Sequence, residues 1–66
     1  ILNEQNELFS ASRKLYNSGL ELFNDHDFQQ AILHLTNSIT IDSTFSQAYF
    51  YRAKCYEELD DSLSNT

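Results

Sequence analysis

Two histidines, one cysteine and ten acids are the residues of this chain whose chemistry is worth testing first. His26 and His34, with Asp25, Asp27 and Cys55, are donors of the kind that hold a transition metal, but ligand motifs need such donors at short, recurrent spacings. Here they are too scattered along the sequence to make one. Cys55 would act as a nucleophile only as a thiolate, and it has no obvious base beside it in sequence. It stands among Tyr49, Ala53 and Tyr56 at helical spacing, which predicts a packed thiol. No glycine-rich loop is present to cradle a phosphate. Glu57, Glu58, Asp60 and Asp61 read as a solvated helix end, although acids near a helix C-terminus oppose its dipole unless a further helix begins there. Asp25 and Asp27 read as helix-end residues and His34 as an ordinary side chain of an amphipathic helix. No catalysis, cofactor or metal is expected.

The elements that must position any site are bounded by size. A chain of 66 residues is one domain at most, with a thin core. At 41% hydrophobic and 14% aromatic it is too apolar for the class that stays disordered, so it should fold. The net charge of −6 opposes polyanionic partners. Nucleic-acid binding needs clustered cations, and only Arg13, Lys14, Arg52 and Lys54 are available. An anionic membrane is repelled for the same reason, and no stretch approaches the roughly 20 apolar residues that span a bilayer. A single cysteine excludes an internal disulfide and suits a reducing, cytoplasmic setting. Without an initiator Met or signal-peptide pattern at Ile1, the chain reads as an excised segment.

With no proline and one glycine, segments must be found from periodicity and caps. Ile1, Leu8, Leu15 and Leu22 fall seven apart, as do Leu2, Phe9, Tyr16 and Phe23, which predicts one long helix from about Leu2 to Asn24. Asn24 to Asp27 interrupt it, and Asp27 followed by Gln30 is a capping-box signature. Phe28, Ile32, Leu35 and Ile39 then mark a second helix to about Ile41. The β-branched run Ser38 to Ile41 has strand propensity, but no second alternating run exists to pair with it. Thr44 with Gln47 is a further capping box, opening a third helix through Tyr49, Arg52, Ala53, Tyr56 and Leu59. From Asp60 the polar residues predict a turn and a frayed end, or the truncated start of a fourth helix. Short connections imply antiparallel neighbours, and Gly19, Ala31, Ser38 and Ala53 are the small residues that would let backbones approach.

A shift of 34 residues maps Leu15 onto Tyr49, Gly19 onto Ala53 and Leu22 onto Tyr56. On Leu15, Gly19, Leu22, Ala31, Leu35 and Ser43, and on the runs Gly19 to Phe23, Phe28 to Ile32 and Ala48 to Ala53, the chain resembles the tetratricopeptide repeat from about Ser12 to Leu59. It departs from that pattern at Ser18, where the family prefers Leu, at Ser43, where it prefers Pro, and at Asn65, where a second repeat would place an Ala. The resemblance implies an all-α fold: an antiparallel helix-turn-helix of that type with a third stacked helix, a fragment of an α-solenoid. Its parts would be an N-terminal helical extension over residues 1–11, one repeat over 12–44, and over 45–66 the first helix of a second repeat with a truncated polar end. Two heptads in the extension are compatible with a cap or a dimerising seam.

In such repeats the first helix of each pair lines a concave groove. By resemblance the groove edge here comprises Arg13, Tyr16, Leu20, Asn24, Phe50, Tyr51, Lys54 and Glu58. Members that grip acidic C-terminal tails use a Lys and an Asn around the Gly of one repeat and an Asn before the Arg-Ala pair of the next. Those three positions are Tyr16, Leu20 and Tyr51 here, so the carboxylate clamp is not expected. An aromatic, apolar groove instead suits an amphipathic helix or an extended peptide with apolar anchors. The expectation is a protein-binding segment of a larger scaffold or co-chaperone-like protein. The alternative is a structural piece for self-association, as a homodimer, or for capping a solenoid.

Overall fold

The computed structural model describes the backbone of residues 2–64 and the side chains of residues 7–60. Leu2 of the leading stripe and the polar side chains beyond Asp60 lie outside the described side chains, and Asn65 lies outside altogether. The described chain is three helices: α1 (Leu2–Asn24), α2 (Phe28–Ile41) and α3 (Ser46–Ser64). The all-α expectation holds, with the first two helices bounded as periodicity and caps predict.

The turn from α1 to α2 is made by backbone hydrogen bonds. The amide of Asp27 donates to the carbonyl of Leu22 at 2.9 Å and that of His26 to Phe23 at 3.0 Å, the double closure of a Schellman motif. His26 takes its left-handed position, with φ of 66°, where glycine is usual. Asp27 then caps α2 by accepting from the Gln30 amide at 3.4 Å. The reciprocal half of the capping box does not form, because the Asp27 amide is already engaged with Leu22.

Facing pairs fix α1 and α2 as antiparallel. Ser12 meets Ser38, and seven residues on, Gly19 meets Ala31, seven residues back. A Cβ on Gly19 would lie 2.8 Å from both Cγ and Cδ2 of Leu35 and 3.5 Å from the Ala31 carbonyl oxygen, so the glycine is there for close approach. At the other end of the hairpin two buried serines lock the seam. The Ser12 hydroxyl donates to the Ser38 carbonyl at 3.0 Å, and the Ser38 hydroxyl donates to the Ser12 carbonyl at 2.8 Å. Neither serine has exposed surface, and each hydroxyl is satisfied, as burial of a polar group requires.

The β-branched end of α2 stays helical. Thr40 returns its hydroxyl to the Thr36 carbonyl at 2.9 Å, and the Asp42 amide closes on the Ser38 carbonyl. Asp42 then organises the next turn, accepting from both the amide and the hydroxyl of Thr44, at 3.0 Å and 2.6 Å. The predicted cap at Thr44 is therefore not formed. Phe45 occupies the N-cap position instead and offers only its carbonyl, to Ala48 and Tyr49. Nor does the chain turn at Asp60. With no Gly or Pro after Leu59, α3 continues to Ser64.

The core is centred on α2. Ala31, Leu35, Ile39, Ala48 and Cys55 form its buried apolar cluster, and complete burial of Leu35 is worth about 2 kcal/mol. Leu22 packs half-buried against it. Ala53, expected among the close-approach residues, is exposed. The Phe45–Tyr16 and Tyr51–Phe23 contacts show α3 running parallel to α1. Its seam with α2 is extensive and its seam with α1 slight.

Candidate functional site

The residues expected to line a groove come from two parallel helices. On α1, Arg13, Tyr16, Leu20 and Asn24 recur at three and four residues and so share one face. On α3, Phe50, Lys54 and Glu58 recur at four, with Tyr51 beside them. The structure joins the middle of these two rows. The Tyr16 and Tyr51 rings lie 6.1 Å apart between centroids, Tyr51 and Phe50 5.1 Å, and the Lys54 ammonium stands 5.6 Å from the Phe50 ring centre. Arg13 sits 5.4 Å over Phe9 at one end. Asn24 and Glu58 are exposed and Leu20 is half-buried.

Tyr16 and Tyr51 are floor more than rim. They belong to a continuous aromatic ladder: Phe45 to Tyr16 at 4.7 Å, Tyr16 to Tyr51, Tyr51 to Phe23 at 5.6 Å, and Phe23 to Phe28 at 5.6 Å. Each step is worth about 0.5–1.5 kcal/mol beyond burial. Two of the ladder's steps, Tyr16 to Tyr51 and Tyr51 to Phe23, bridge α1 and α3. Burial pushes the Tyr16 phenol above its ordinary value, the Tyr51 hydroxyl adds to the rise, and the Arg13 guanidinium offsets part of it. Phe50 is different: 55% of it is exposed, with the edge-on Tyr51 ring beside it and the Lys54 head laid across it.

Sequence reasoning missed Phe23 and Phe45 as members of the floor. The signal for Phe23 was its place seven residues after Tyr16; for Phe45 there was none, since a residue just before a helix has no register. A depression of about 270 Å³ was missed as well. Phe9, Arg13, Asp42, Thr44, Phe45, Ser46 and Gln47 line it beyond the end of the ladder, and of the eight groove residues only Arg13 reaches it.

No family model matches the chain, and neither a curated protein nor a solved structure does. The residues alone must carry the reading.

The remaining chemistry-bearing groups are structural in their surroundings. Cys55 has no exposed surface, and burial with the nearby Glu58 carboxylate pushes its thiol up, away from the thiolate a nucleophile needs. His34 is less ordinary than its amphipathic position suggests: its Nδ1 is sealed from solvent with no hydrogen-bond partner. Among the described residues no three His, Cys, Asp or Glu side chains gather as metal ligands, and no helix is long and apolar enough to cross a membrane.

Proposed function

We propose that the chain is a protein-interaction module of tetratricopeptide-repeat type, with one repeat in α1 and α2 and the first helix of a second in α3, which binds a peptide or helix across the face shared by α1 and α3. The observation that supports this is the inequality of the three helix seams, since α1 and α3 would run parallel in a closed three-helix bundle as well. Their candidate residues share one side over a slight, aromatic seam, as stacked hairpins require and a closed three-helix bundle does not. A closed bundle would bury three comparable seams.

On this face Phe50 is the anchor a ligand would cover, Lys54 and Arg13 are its cations, and the Tyr16–Tyr51 floor is preorganised by the ladder beneath. With Tyr16, Leu20 and Tyr51 where clamp residues would stand, the contact is apolar and aromatic in character, and a terminal carboxylate is not its target. The parent protein would be a scaffold or co-chaperone-like protein acting in the cytoplasm.

Peptides selected from a displayed random library against the chain test this. Those bound by the α1/α3 face should carry apolar or aromatic anchors and lose at least about 2 kcal/mol of affinity to Phe50→Asp, a hot-spot loss. Circular dichroism should stay unchanged, because Phe50 is exposed. Selected peptides indifferent to Phe50→Asp and Lys54→Glu would refute the assignment.

A further inference from the structure

Among the described helices only α2 has no charged side chain. Its 14 residues include no Lys, Arg, Asp or Glu, although the chain holds 4 basic and 10 acidic residues elsewhere. Folding does not require this. Gln29, Gln30, Leu33, Asn37 and Thr40 are exposed, and on a solvent-facing helix side charges are usual and cost the fold little. The second half of the helix also carries a second period. From Leu33 to Ile41 the sequence alternates: Leu33, Leu35, Ile39 and Ile41 fall on one side with Asn37 among them, and His34, Thr36, Ser38 and Thr40 stand between. That is the period of a strand, and Thr36, Ile39, Thr40 and Ile41 have the β-branched shape that suits one. The helical period wins in the folded chain because Leu35, Ser38 and Ile39 are buried against α1 and α3. Alone, a helix of this length is marginal.

We infer that residues 33–41 are a latent β-assembly segment, whose partner is the same segment of another copy of this chain once the hairpin opens. Within one chain the run has no strand to pair with. A second copy supplies one with the same alternation. In such a stack Leu33, Leu35, Ile39 and Ile41 share one face and meet their equivalents in a dry interface, Asn37 in their midst adds an amide ladder, and the backbone groups are satisfied between copies. The helix divides these residues instead: Leu35 has no exposed surface, whereas Leu33 is 52% exposed. Pairing as strands therefore buries apolar surface that the folded chain leaves in water. The charges nearest to α2 are Asp27, just before it, and Asp42, just after, so no gatekeeping charge lies within the segment. The inference stands on α2 and does not depend on the groove.

The test uses the full chain held at its melting midpoint, where a large share of the molecules has released α2. Thioflavin-positive fibres should form, with reflections at about 4.7 Å and about 10 Å. Their protease-resistant core, read by mass spectrometry, should span residues 33–41. Leu33→Lys and Asn37→Lys alter positions that are exposed in the helix, so each should leave the melting curve unchanged and slow fibre formation at least about ten-fold. Asn17→Lys, exposed on α1, makes the same change in net charge and should leave the rate as it was. Absence of fibres, a resistant core outside 33–41, or fibre formation indifferent to both α2 lysines would each overturn the inference. So would equal slowing by Asn17→Lys, for net charge and not the segment would then set the rate. Assembly that keeps its helical circular dichroism would overturn it as well, being an association of folded chains.

Discussion

α1 and α3 carry the same stripe of residues and use it differently. On α1, Ser12, Gly19 and their neighbours hold α2; on α3, Ser46, Ala53 and theirs face solvent, and the helix is attached through Ala48, Tyr51 and Cys55 instead. The α1 counterparts of those three are Lys14, Asn17 and Glu21, all exposed and polar. α1 thus has a polar outer side, whereas α3 has an apolar inner side and an exposed, largely aromatic outer one. A repeating pattern specifies what kind of surface a helix offers, and the neighbour decides whether that surface is core. Repeat stacks use this asymmetry, since a polar outer side stops growth and an apolar one continues it.

The sharpest way to break the comparison is to make one change at both copies of the small position. Gly19→Leu drives a side chain into Leu35, whose Cγ is already 2.8 Å from the first added atom and which has no room to move. The expected loss is about 3 kcal/mol, more than about 10 °C of melting temperature in a chain this small. Ala53→Leu should stay within about 0.5 kcal/mol. Equal losses in thermal melts would mean that α3 is covered on its outer side, and the comparison would collapse.

The sequence announced the stripe but not its fate. Helices α1 and α2 were legible, with approximate bounds, because strong apolar periodicity runs up to a cluster of Asn and Asp, and the small residues Gly19, Ala31 and Ser38 marked their close seam. What could not be read was competition among local hydrogen bonds. Thr44 has the spacing of a cap, yet Asp42 two residues earlier takes its hydroxyl, and the α3 start falls to Phe45, held by packing on Tyr16. His26 makes a glycine-type turn because two backbone bonds outweigh the cost of a left-handed residue, about 1–2 kcal/mol. Of the candidate site, the choice of residues on α1 and α3 came from the family resemblance, and register adds only that those on each helix share a face. The division of its residues into a floor of Tyr16 and Tyr51 and an exposed Phe50 followed from neither, because that depends on rings reaching across from Phe23 and Phe45.

A second pair of changes sharpens the comparison at the serines. Ser12→Ala removes two of the contacts that lock the open end of the hairpin, but it leaves the Ser38 hydroxyl still donating to the Ser12 carbonyl, so no buried donor is stranded. The cost should be about 1 kcal/mol, that of a buried hydrogen bond replaced without an orphan. Ser46→Ala, at the exposed copy, should cost no more than a few tenths of a kcal/mol. The double variant Ser12→Ala/Ser38→Ala should cost less than the sum of the singles, since both remove the same hydroxyl–hydroxyl contact. Strict additivity in denaturant titrations would show that the two serines do not act as a unit.

The smallest effect lies in alkali and separates the two helices by residue. Cys55 on α3 and Tyr16 on α1 both have folded pKa values raised by burial, from ordinary values of 9.0 and 10.0. Each is neutral when protonated, so the folded state holds its proton more tightly than the unfolded state does. Their contributions are therefore complete below about pH 9 and are lost as pH rises through the folded values, the loss at the thiol beginning from the lower ordinary value. Melting temperature should be level from neutrality to about pH 9 and fall above it. Cys55→Ala should delay the onset toward the tyrosine range, and Tyr16→Phe should flatten the later part of the fall. A melting temperature that rises with pH, or a Cys55→Ala profile parallel to that of the parent chain, would place the alkaline sensitivity elsewhere and remove the buried thiol from the account of how α3 is held.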